Sequence, residues 1–114
     1  MYTTELKREN YEVYNLAVSG LQDAVAHDNF IAFVHFHDPD DTGHHLQDHA
    51  EYMEAALRVD RYIWGLMKSL TPGTDVTYCS DHGFSFKELG DAENSHRFCP
   101  WGTLATNFPV LNVP

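Results

Sequence analysis

Basic residues are scarce in this chain: seven Lys and Arg stand against seventeen Asp and Glu, a formal net charge of −10. A surface of that sign repels phosphate backbones and anionic headgroups, which argues against nucleic acid or a charged membrane as the main partner. It suits a protein that gathers cations. Long apolar runs are missing too. None approaches the roughly 20 residues that cross a bilayer, and the opening MYTTELKREN lacks the apolar core of a signal peptide. Cysteine is limited to Cys79 and Cys99, which make neither a disulfide framework nor a paired zinc motif. The expectation is a reduced, cytoplasmic setting with no membrane partner. What remains is ordinary for a folded protein: 43% apolar residues in 114, room for one small domain covering 1–114.

The stretch FIAFVHFHDPDDTGHH, residues 30–45, organises the rest. Phe30, Ile31, Ala32, Phe33, Val34 and Phe36, interrupted only by His35, read as a short buried strand of the kind found in parallel sheets. The loop after it carries His37, Asp38, Asp40, Asp41, His44 and His45. Open α/β sheets place their chemistry just past the carboxyl ends of strands. Asp40 and His44 stand four positions apart, with Gly43 allowing the backbone to turn between them. A carboxylate and an imidazole converging in this way suit zinc or a similar divalent cation.

Before this strand, Tyr11, Tyr14, Val18, Leu21 and Val25 recur at helical spacing within residues 5–27. They predict an amphipathic helix that covers the sheet, weakened at Gly20. After the loop, Asp48 and Glu51 predict a capped helix start. The stripe Met53, Leu57, Trp64, Met67 carries that helix to Leu70, where Thr71-Pro72-Gly73 stops it. Asp60 falls inside the stripe. A carboxylate buried there needs a partner, and a structural role satisfied by backbone or by Arg58 or Arg61 is preferred over a metal role.

Residues 75–80 predict a second strand, followed by Asp81-His82-Gly83. Strand, long helix and strand form by default a right-handed parallel crossover unit. Both strands then end on one edge of the sheet, bringing Asp81 and His82 near Asp40 and His44. Two acid–imidazole pairs on matched strand ends predict metal binding. From Phe84 onward Gly90, Pro100, Gly102 and Pro109 leave an irregular segment, with a possible short strand at 103–108. His96 in this region reads as a bystander, and Trp101 as packing.

DPDDTGH, then ALRVDRYIWGLMKSL, then SDHGF together resemble the later half of the alkaline phosphatase superfamily, in its type I phosphodiesterase and nucleotide pyrophosphatase branch. The resemblance runs over residues 30–84 and rests on a P-D-x-x-G-H loop, a V-D pair on a helix and S-D-H-G in this order. It implies a partial three-layer α/β fold of helix, strand, helix and strand, with parallel strands and an irregular C-terminal segment. It implies two divalent metals, zinc foremost, with manganese or iron also tolerated. Asp40 and His44 resemble ligands of one metal, Asp81 and His82 ligands of the second. His96 is the candidate for a further histidine on the first.

Ser80 and Gly83 complete the last motif as turn chemistry, and Asp60 matches the V-D pair, in keeping with a structural role. The family's nucleophilic Thr or Ser and a further metal-binding Asp come from an earlier part of its domain. Thr3 and Thr4 lack the preceding strand and apolar context, so no nucleophile is assigned and the second metal is expected to be incomplete in this chain. The expectation is therefore a part or truncated form of a hydrolase of phosphate esters. The alternative is a non-catalytic metal-binding or assembly module. Thin sheets expose edges, so self-association or pairing with another chain is expected.

Overall fold

The computed structural model describes residues 9–27, 29–86 and 102–107. Three helices dominate: α1 (Asn10–Ala24), α2 (Asp40–Leu46) and α3 (His49–Lys68). They are followed by β1 (Thr77–Cys79) and β2 (Leu104–Thr106). The predicted helices at 5–27 and 49–70 correspond to α1 and α3, and the predicted strands at 75–80 and 103–108 to β1 and β2. His96, Cys99 and Trp101 lie outside the described residues.

The start of α3 forms as its sequence dictates: the Asp48 side chain accepts the Glu51 backbone N–H at 3.0 Å. One of the donors that every helix leaves open is thereby satisfied. The face that α3 buries differs from the expected stripe. Ala55, Val59 and Leu66 are its buried residues, whereas Met53, Leu57, Trp64 and Met67 are exposed. Asp60 lies on that exposed side. Its carboxylate is hydrated, so the burial cost that called for a partner does not arise.

Helix α1 packs on α3 through rings. Tyr14 lies against Tyr62 with centroids 5.1 Å apart, and Phe36 stacks on the same Tyr62 at 5.9 Å. Gly65 permits the approach, because a β-carbon there would come within 2.6 Å of the Tyr14 hydroxyl oxygen. Leu21 is the buried residue of α1.

The predicted strand at 30–36 is absent: residues 29–37 carry no sheet pairing. Ile31 is 102% exposed and Phe33 is 90% exposed. Apolar sequence sets a strand's preference, but pairing requires a neighbour at hydrogen-bonding distance, and none among the described residues supplies one. The sheet that does form is antiparallel and has two strands, with Tyr78 opposite Ala105 and Cys79 opposite Leu104. The expected parallel crossover and the three-layer arrangement are therefore not present among the described residues. Mixed helix and a small sheet, compatible with an α/β fragment, are. The Asn107 side chain fastens the sheet, accepting from the Val76 N–H at 2.7 Å and donating to the Thr74 carbonyl at 2.8 Å.

Candidate metal centre

The loop expected after residue 37 is partly a helix. Asp38 begins it: its Oδ1 accepts from the Thr42 backbone N–H at 3.1 Å and from the Thr42 hydroxyl at 2.7 Å. Its Oδ2 accepts from the Asn10 side chain at 2.6 Å, which ties this turn to the start of α1. Asp40 and Asp41 occupy the first turn of α2, and His44 and His45 the last. Carboxylates in the first turn favour the helix through its backbone dipole. One helical turn then puts Asp40 and His44 on the same face, with Asp40 Oδ1 and His44 Nε2 3.5 Å apart. Asp41 and His45 form a parallel pair at 3.3 Å on the neighbouring face.

The second pair arrives from the end of β1. The Ser80 N–H donates to the Thr103 carbonyl at 2.9 Å, and the Ser80 hydroxyl oxygen accepts from the Thr103 N–H at 2.7 Å. The chain is therefore anchored one residue before Asp81. Asp81 Oδ1 accepts from the His82 backbone N–H at 3.0 Å. His82 Nδ1–H donates to the Gly83 carbonyl at 2.7 Å, since a carbonyl offers no proton of its own. That bond leaves the lone pair of a neutral imidazole on Nε2. His82 Nε2 faces Asp81 Oδ1 at 3.6 Å and Asp40 Oδ1 at 3.7 Å.

Four of the five sequence-assigned residues thus meet, and the fifth, His96, lies outside the described residues. Asp40 Oδ1 is at the centre. It is shielded from solvent and has no hydrogen-bond partner, while two imidazole nitrogens approach it. Zinc bonds of about 2.1 Å place neighbouring tetrahedral donors about 3.4 Å apart, so these spacings and this mixture of oxygen and nitrogen donors fit a divalent cation. The side chains do not close into a finished cage. No group of three or more His, Cys, Asp or Glu among the described residues is arranged to hold a metal ion.

Two contributors were not singled out by the sequence reading. Asp38, one residue before the cap position of α2, accepts from Thr42 in its first turn, and its signal was the Asp-Pro turn opener with Thr42 one turn on. Phe84 packs its ring against His44 with centroids 5.0 Å apart. Its sequence signal was only its place at the end of SDHGF, two residues after His82. Asp40, Asp81 and His82 border an open cleft of about 1270 Å³, walled by the extended segment 29–38 and residues 74–83 and floored by Val59 and Leu66 of α3. No described helix is long and apolar enough to cross a membrane.

No curated protein and no solved structure matches the chain. The model of one family, type I phosphodiesterase / nucleotide pyrophosphatase, matches residues 3–98. That span contains both Asp–His pairs and most of the chain. The protein therefore belongs to the type I phosphodiesterase / nucleotide pyrophosphatase family and is related to hydrolases of phosphate esters.

Proposed function

We propose that this chain, a single small domain, is the metal-holding part or a truncated form of a phosphodiesterase-like hydrolase acting on phosphate esters. One observation carries the reading: Asp40 Oδ1, shielded from solvent on a side chain 41% exposed, accepts no hydrogen bond and has the His44 and His82 nitrogens 3.5 and 3.7 Å away. A carboxylate oxygen withdrawn from water without a donor is costly, and a divalent cation relieves that cost. Asp40 and His44 hold one cation, with His96 as the candidate further ligand, and Asp81 and His82 hold part of a second. The favoured occupants are two zinc ions, with manganese or iron as alternatives.

Such cations, when bound, stabilise charge on the oxygens of a phosphate ester. The chain's own residues orient the ligands. Gly83 fixes the His82 proton on Nδ1, and Ser80 fixes the backbone entering Asp81. No Thr or Ser of this chain is assigned as nucleophile, so attack on phosphorus is not ascribed to these residues. A reduced, cytoplasmic setting is part of the proposal.

Calorimetric titration of the full chain with Zn²⁺ and Mn²⁺, together with an assay on bis-p-nitrophenyl phosphate, tests the reading. Metal uptake accompanied by turnover, both weakened by Asp81→Asn, supports it. No uptake by the unsubstituted chain overturns it. A second reading, a non-catalytic module acting through assembly, is favoured by the unpaired segment 29–37 with Ile31 and Phe33 facing solvent. Tight metal uptake without turnover selects that reading.

A further inference from the structure

We infer that Phe84 is a positioning residue that sets the spacing between the two Asp–His pairs; this rests on reading those pairs as metal ligands. Phe84 sits on the same loop as His82, yet its ring meets the other pair. It lies edge-on to the His44 imidazole, with centroids 5.0 Å apart and planes at 74°. Rings of opposite edge and face polarity favour this arrangement, and it orients both. The tip of the Phe84 ring abuts Gly43. A β-carbon there would lie 2.7 Å from Cζ and 3.0 Å from each Cε, so α2 is seated directly on the ring.

Phe84 cannot recede from that contact. Tyr52 of α3 lies against it at 5.2 Å and Phe86 at 5.0 Å, and Phe86 is itself only 3% exposed. Tyr52 and Phe86 also meet each other, edge to face at 5.1 Å. The ring is thus wedged between the buried glycine of α2 and an aromatic wall. Through this wedge the loop bearing Asp81 and His82 is held at a fixed distance from the helix bearing Asp40 and His44. The absence of a side chain at Gly43 matters as much as the ring, because any β-carbon would push the helix and the loop apart.

The test is Zn²⁺ titration of the full chain and its variants, with Co²⁺ absorption spectra reporting ligand geometry and circular dichroism reporting the fold. Phe84→Leu keeps apolar volume but removes the edge-on ring, and Phe84→Ala removes the wedge. Supporting partners of ligands typically change metal affinity by about 10- to 100-fold. A loss of that size in both variants, with an altered Co²⁺ spectrum and unchanged helicity, is expected. Gly43→Ala should weaken uptake similarly, and adding Phe84→Leu to it should restore part of the loss, since the shorter side chain vacates the space.

If Phe84→Ala loses helicity, Phe84→Leu and the Gly43→Ala pair decide. Equal affinity and spectrum in the unsubstituted chain and Phe84→Leu overturn the inference while leaving the metal reading intact. No uptake by the unsubstituted chain overturns both.

Discussion

Asp40 Oδ1 lies 3.7 Å from His82 Nε2, although α3 and β1 intervene between the two residues in the chain. The contact joins the two halves of the candidate centre. It also separates Asp40 from its neighbour. Asp41 lies in the same turn of α2, and its carboxylate faces His45 instead.

Asp40→Asn is therefore expected to weaken Zn²⁺ binding by more than about tenfold, the lower end of what even supporting residues contribute. Asp41→Asn removes the same charge next door and is expected to leave affinity within about twofold, since its carboxylate faces His45 and acts on the centre only at a distance. Calorimetry on both variants checks the pair. Equal losses would reduce the centre to nonspecific attraction by an acidic surface.

Two helical glycines are expected to respond oppositely to alanine. At Gly65 the added methyl meets the Tyr14 ring, which Tyr62 prevents from swinging aside. Overpacking of that kind costs about 1–3 kcal/mol. At Gly20 nothing lies within 4 Å of the new methyl, so the gain in helix propensity acts alone and stabilises by about 0.5–1 kcal/mol. Urea denaturation of Gly65→Ala and Gly20→Ala measures both signs.

Ile31 and Phe33 expose apolar surface on an extended segment that pairs with no strand. Such a segment offers backbone donors and acceptors to a second chain. Ile31→Lys and Phe33→Lys together are expected to reduce self-association at micromolar concentration without lowering the unfolding midpoint. Light scattering and denaturation check this. A monodisperse monomer before substitution contradicts it.

Much of the local structure was legible because it depends on near neighbours. Asp48 three residues before Glu51 caps α3 wherever that helix lies. Thr71-Pro72-Gly73 follows its end, and β1 sits inside the predicted strand. The choice of buried face on α3 was not legible in the same way. Met53, Leu57, Trp64 and Met67 make the more apolar stripe, yet Ala55 and Val59 are buried, since small residues permit close approach of neighbouring elements.

Helix α2 was hidden for a different reason. Its seven residues include Gly43 and two histidines, so propensity alone reads as loop. The bonds of Asp38 to Thr42 and to Asn10, the latter 28 residues away in the chain, supply what propensity lacks.

The sequence by itself determined the family, the acid–imidazole pairs at 40, 44, 81 and 82, and the ends of α3, because each rests on residue type and short spacing. Tertiary structure alone decided that segment 29–37 stays unpaired, that β1 meets β2 antiparallel, and that the Phe84 ring seats one pair against the other. Strand pairing and ring packing depend on which groups arrive from distant parts of the chain, and no local pattern encodes that arrival.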